Sequence, residues 1–206
     1  MKSLTRTFRF AALSLATILF AVGPALAAST AASPATMQLM STNAQLNHAL
    51  NSSRISLGQR VTAHLTMELR TDHGMVLPRN TQLIGKVSQL QRGHNKTTRV
   101  GLVFSEARLK NGHVVPIKAT LLGAMPPADG FYSGESQYFP DTSHPVSPKE
   151  KIDQEAGVLN NVSLQAAVLS HVSGTFLSKR GKIRLPAGTQ LRIAIAPVHP
   201  SASMAG

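Results

Sequence analysis

One phrase occurs twice in this chain: LPRNTQL at 77–83 and LPAGTQL at 185–191. In each copy proline fixes φ at the first corner of a turn. Asn80 or Gly188 then stands where φ turns positive, and these two residue types enter the left-handed region at least cost. Thr81 and Thr189, branched at Cβ, suit the opening of a strand. Pro78, Asn80 and Thr81, with their counterparts Pro186, Gly188 and Thr189, therefore read as a corner that bends an extended chain into a new core strand. Turn chemistry accounts for every residue of the phrase, so it reads as scaffold and not as a ligand site.

The segments around the corners have a period of two. Val61, Ala63, Leu65, Met67 and Leu69 alternate with polar residues, the pattern of one half-buried strand over 61–69. Leu83, Gly85 and Val87 share a face after the first corner, and Leu191, Ile193 and Ile195 share one after the second. Val100, Leu102 and Phe104 make another face, with Ala107 and Leu109 out of step; this predicts a β-bulge near Ser105 and Glu106. Residues 91–98 read as a polar hairpin connection, and KNGH at 110–113 predicts a two-residue hairpin turn with positive φ at both positions. In the strand that follows, Pro116 lacks an N–H and suggests an exposed edge. Residues 157–178 are apolar but ambiguous between helix and strand. The fold class predicted is all-β: a small barrel or sandwich of antiparallel strands.

One stretch departs from the pattern. Residues 125–156 hold five prolines and no period, which predicts a long irregular insertion. They also hold most of the acids. The chain has 21 Lys and Arg against 9 Asp and Glu. Six of the acids fall between 126 and 156, opposed there only by Lys149 and Lys151. A basic body with an acidic insertion follows, and such a body attracts polyanions: nucleic acid, lipopolysaccharide or an anionic glycan. Lys86, Arg92, Lys96 and Arg99 surround the first hairpin, and Lys179, Arg180, Lys182 and Arg184 precede the last strand. Were the two clusters to meet, they would form one candidate polyanion surface; on separate hairpin tips they would only be solvated.

The first 27 residues have the form of a secretory signal: Lys2, Arg6 and Arg9, the apolar run FAALSLATILFAV, and ALA at 25–27. The run is too short for a good membrane span, so no transmembrane segment is expected in the mature chain. Residues 28–40 read as a tether, 41–198 as the β-domain and 199–206 as a disordered tail. The chain has no cysteine, which excludes disulfides and thiol catalysis.

The run from VTAHLTMELRTDHGMVLPRNTQLIGKVSQL to VGLVFSEARLKNGHVVPIKATLLG, within 56–123, resembles the β-domain of the TrbI/VirB10 family of conjugation and type IV secretion envelope proteins. The resemblance implies a structural, non-enzymatic envelope protein of the periplasm or outer envelope of a Gram-negative-type bacterium. It implies partnership with another envelope protein or with itself. It carries no functional residue over, because the matched positions are turn and core positions.

Reaction chemistry has no visible carrier. The eight histidines include no HExxH or H-x-H spacing. Outside the insertion the carboxylates are Glu68, Asp72 and Glu106, and no serine sits in a nucleophile-elbow context. No enzyme, cofactor or metal is expected. Phe131, Tyr132, Tyr138 and Phe139 gather in the insertion, where they read as a docking segment or as a cover for apolar strand edges.

Overall fold

The alternation becomes fourteen strands and, among the described residues, no helix. The structure is a computed structural model that describes residues 38–71, 74–93, 95–127, 143–147, 151–154, 159, 161–168 and 170–198. The stretches read above as a signal, most of the tether and a tail, and the four insertion aromatics, lie outside these residues.

In the first part of the chain, β1 (Leu39–Leu46) and β2 (Leu50–Asn51) lead to β3 (Arg60–Leu65), β4 (Leu69–Arg70) and β5 (Val76–Leu77). Three long strands follow: β6 (Gln82–Arg92), β7 (Thr98–Arg108) and β8 (Val114–Met125). Then come β9 (Pro145–Val146), β10 (Lys151–Gln154), β11 (Val162–Ala167), β12 (Gly174–Ser178), β13 (Arg184–Leu185) and β14 (Gln190–Pro197). Six of them close a ring of antiparallel pairs in the order β7, β6, β3, β1, β14, β8 and back to β7. The fold is therefore a six-stranded closed barrel, the first of the two architectures expected. Alternate residues point inward and fill it: Leu46, Leu65, Leu83, Leu102, Phe104 and Leu191 are at most 2% exposed. A smaller apolar cluster of Leu39, Val146, Val168, Ala194 and Ala196 is separate from this core.

The repeated phrase does one job twice. Asn80 has φ 68° and Gly188 φ 79°, as turn chemistry predicts. Asn80 N donates to Leu65 O (2.8 Å) and Leu65 N to Thr81 O (3.0 Å); Gly188 N donates to Leu46 O (2.8 Å) and Leu46 N to Thr189 O (3.0 Å). Leu77 and Leu185, ahead of the prolines, are buried, as are both threonines. Leu77 pairs with Leu69, and Leu185 with Leu50. The barrel thus contains two copies of one unit: a strand, a two-residue strand, a second two-residue strand, the corner and a closing strand. The copies meet at the β1–β3 pair, where Asn47 N donates to Thr62 O and Thr66 N to Asn43 O. These two bonds exchange under a pseudo-two-fold axis between Gln45 and His64, which face each other. That symmetry is why the strand expected over 61–69 breaks after Leu65, as β1 breaks after Leu46.

Three local expectations change. KNGH makes a three-residue loop, with Leu109 N bonded to His113 O and positive φ at Gly112 (84°) but not at Asn111. A type I turn followed by glycine fits that spacing. Pro116 is not at a bare edge. It faces Glu106 of β7, its carbonyl accepts from Val198 N, and the β7–β8 pairing stops there. Proline marks the place where β8 parts from β7. Within 125–156, β9 pairs with β1 and β10 with β11, so part of the stretch read as irregular is strand. The ambiguous 157–178 likewise supplies β11 and β12. The bulge predicted near Ser105 is present: Ile84 faces Glu106 and Gly85 faces Phe104, which leaves Ser105 unpaired.

Where β8 leaves β7, β12 enters beside β7 instead. Ser173 stitches the gap. Its N–H donates to Leu102 O (2.8 Å), its carbonyl accepts from Leu121 N (2.7 Å), and its Oγ accepts from Phe104 N (3.0 Å). One buried residue thereby supplies partners to both separating strands, which buried backbone groups require.

Candidate anion-binding surface

β6, β7 and β12 end together at one rim. Arg92 faces Thr98, and Thr98 faces Ser178 on its other side. Lys96 lies in the 93–97 connection with φ 60°, where Gly93 N bonds Thr97 O. Arg99 stands one place further in, between Gln91 and Leu177. Lys179 and Arg180 follow Ser178 directly, and Arg180 N donates to Ser178 Oγ (3.2 Å). Lys96, Arg99, Lys179 and Arg180 are all exposed. Two clusters far apart in sequence therefore share a rim, because antiparallel pairing sets the end of β12 beside the start of β7.

The remaining pair, Lys182 and Arg184, joins through Ser52. Ser52 N donates to Ile183 O (2.9 Å), and Ile183 N donates to Ser52 Oγ (3.0 Å). Ile183 is buried, so its neighbours Lys182 and Arg184 are turned outward. Ser52 O in turn accepts from Arg92 Nε (2.8 Å) and Nη2 (2.5 Å), and Arg92 Nη2 also reaches Ile55 O (3.1 Å). Arg92 belongs to the first cluster and Ile183 to the second; Ser52 binds both. Arg92 Nε and Nη2 are thus engaged with carbonyls, and the side chain clamps the 52–55 turn. Lys86 does not join the rim. It faces Arg60 and Val103, about 20 Å along β6 from Arg92 at the usual strand rise.

Beside Arg184 a cleft of about 640 Å³ opens between β2, β13 and β11. Leu50, Leu159, Val162 and Leu185 line it together with Arg54, Lys182 and Arg184. Arg54 belongs to neither basic run, and nothing in the sequence marks it. It reaches the cleft because Asn51 pairs with Arg184 and the 52–55 turn carries it there. Among the described residues no carboxylate lines the cleft. The carboxylates among the described residues are Glu68, Glu106 and Asp153. Glu68 is taken by Arg70 at 2.7 Å. Glu106 sits far down β7 from Thr98, about 25 Å by strand rise. The corner residues Pro78, Asn80, Thr81, Gly188 and Thr189 are scaffold; of the six, Pro186 alone also lines the cleft.

Two of the described histidines are held by local partners. His64 Nδ1 is 2.6 Å from Asn47 Oδ1, whose Nδ2 donates to Thr62 Oγ1 (3.2 Å). His144 contacts Ser41 Oγ (3.1 Å) and Arg192 Nη2 (3.1 Å). Among the described residues no three His, Asp or Glu gather as metal ligands, and no helix is long and apolar enough to cross a membrane. No known family model matches the chain, and no curated protein does.

Proposed function

We propose that this chain is a non-enzymatic, exported envelope protein that works by binding, and that its basic rim holds an anionic polymer. The observation that carries this reading is the convergence of Lys96 and Arg99 with Lys179 and Arg180 at adjoining strand ends. Arg99 is held on a paired strand, and the other three cations stand on the short connections at the ends of the same strands, so little backbone must be ordered when a polyanion arrives. Lipopolysaccharide, an acidic glycan or nucleic acid all present the required repeat of charge.

Duplex oligonucleotide serves as a uniform test polyanion. Its affinity should fall steeply with salt, because each phosphate neutralised releases counterions. Reversing Lys96, Arg99, Lys179 and Arg180 to Glu should flatten the slope of log K against log salt by roughly 0.9 for each phosphate no longer neutralised. A slope that stays unchanged in the fourfold variant, with the melting temperature also unchanged, would defeat the reading. Reversing Lys86 alone should do nothing.

A second reading is assembly with another protein, supported by the resemblance of residues 56–123 to the TrbI/VirB10 β-domain. Among the described residues β10 pairs with β11 alone and ends the sheet, a place for strand addition. The chain lacks cysteine, so Asp153→Cys reports pairing of two β10 strands cleanly. Self-association predicts a disulfide-linked dimer from Asp153→Cys and none from Glu68→Cys; a monomer in both cases removes it.

A further inference from the structure

The pseudo-two-fold supplies an internal control for the cleft. Each corner is preceded by the same pair of two-residue strands: β4 with β5 before Pro78, and β2 with β13 before Pro186. Backbone, proline, positive φ and buried leucines match. The surroundings do not. At the first corner β4 and β5 are joined by a short turn, with Thr71 N bonded to Met75 O. Arg70 is there neutralised by Glu68. At the second corner β2 and β13 come from opposite ends of the chain and the space beside them is open. Three cations line it and, among the described residues, no carboxylate does. Scaffold duty explains what the corners share. It does not explain Arg54, Lys182 and Arg184 at one of them.

From this difference we infer that the cleft is a subsite for a phosphomonoester carried on a body with an apolar face. Two guanidinium forks and an ammonium suit a tetrahedral dianion, which offers three oxygens, better than a carboxylate with two oxygens and a single charge. The cleft is in the size range of small-molecule sites, about 300–1,000 Å³, and far exceeds what phosphate alone fills. The surplus is walled by Leu50, Leu159, Val162, Leu185 and Pro186, against which an acyl chain or the apolar face of a sugar ring packs. This inference deepens the anion-binding proposal and rests on it: the rim attracts the polymer, and the cleft takes one phosphorylated group of it.

The test compares octyl phosphate, glucose 1-phosphate and inorganic phosphate by calorimetry on the folded chain. At least one organic phosphate should bind about tenfold more tightly than inorganic phosphate, a difference of about 1.4 kcal/mol. Preference for octyl phosphate identifies a lipid source, and preference for glucose 1-phosphate a saccharide source. Arg54→Gln and Arg184→Gln should each cancel most of that preference, whereas Arg70→Ala at the matching corner should leave it intact. Methyl NMR needs no variant: signals of Leu50, Val162 and Leu185 should move on titration while those of Leu69 and Leu77 stay still. Equal affinity for all three phosphates, or equal loss in Arg70→Ala, overturns the subsite. If the polymer still binds the unmutated chain in that event, the rim reading stands; if it does not, both fall.

Discussion

Replacing Gly85 with alanine is expected to destabilise the barrel by about 3 kcal/mol, near the upper end of overpacking costs. A Cβ at this position would collide with the carbonyl oxygen of Val103 and lie 2.9 Å from Phe104 Cδ1. Backbone cannot yield as a flexible side chain does, and Phe104 is itself packed in the core at 2% exposure. The close approach falls at the bulge: with Ser105 skipped, Gly85 faces Phe104 directly. In a domain of this size the loss should lower the melting temperature by roughly 10 °C, at about 2–4 °C per kcal/mol. Gly58→Ala separates clash from backbone strain. Gly58 has φ +80°, and a Cβ added there would meet nothing within 4 Å, so that change should cost about 1–2 kcal/mol through φ alone. Thermal melts that rank Gly58→Ala as the more damaging of the two would contradict the close approach at the bulge.

Removing the Arg92 side chain should have the second large effect. Its guanidinium makes three hydrogen bonds to Ser52 O and Ile55 O, and charged hydrogen bonds contribute about 1.5–3 kcal/mol each in favourable settings. Arg92 is exposed, so Arg92→Ala should cost about 2 kcal/mol in total, within the usual range for losing a network. Arg92→Lys should recover little, since an ammonium cannot span two carbonyls as a planar fork does. The consequence reaches the cleft. Ser52 anchors Ile183, and the 52–55 turn carries Arg54, so the variant should lose organic phosphate as well as stability. Denaturant titration and phosphate binding, measured on the same sample, check both halves; a variant as stable as the parent would mean that the clamp contributes nothing.

Much of the framework was legible in the sequence because it is local. A proline corner needs residues within one turn, and alternation needs only neighbours along a strand, so both corners and the strands after them could be placed. The bulge at Ser105 showed as a phase slip between Phe104 and Ala107. The ring order was not legible, since β1 pairs with both β3 and β14 through bonds no local pattern announces. Pro116 was misplaced for the same reason: a missing N–H says that pairing fails, not whether a free edge or a parting of strands is the cause. At the site, the basic runs could be seen but not their meeting, which depends on β12 entering beside β7. Arg92 looked like its charged neighbours, and only the carbonyls of Ser52 and Ile55 distinguish its task. Arg54 gave no signal at all.

The neighbouring positions of β1 and β14 carry a consequence for how the chain matures. Met40 faces Ile195, and Ser41 faces Ala194, so the first strand of the ring waits for the last. A chain emerging N-terminus first must keep Leu39–Leu46 half-partnered until almost every residue has arrived, and such distant pairing makes closure slow. Until then an apolar seam stays available to other molecules, and a holding chaperone that masks it would govern yield more than the final stability does.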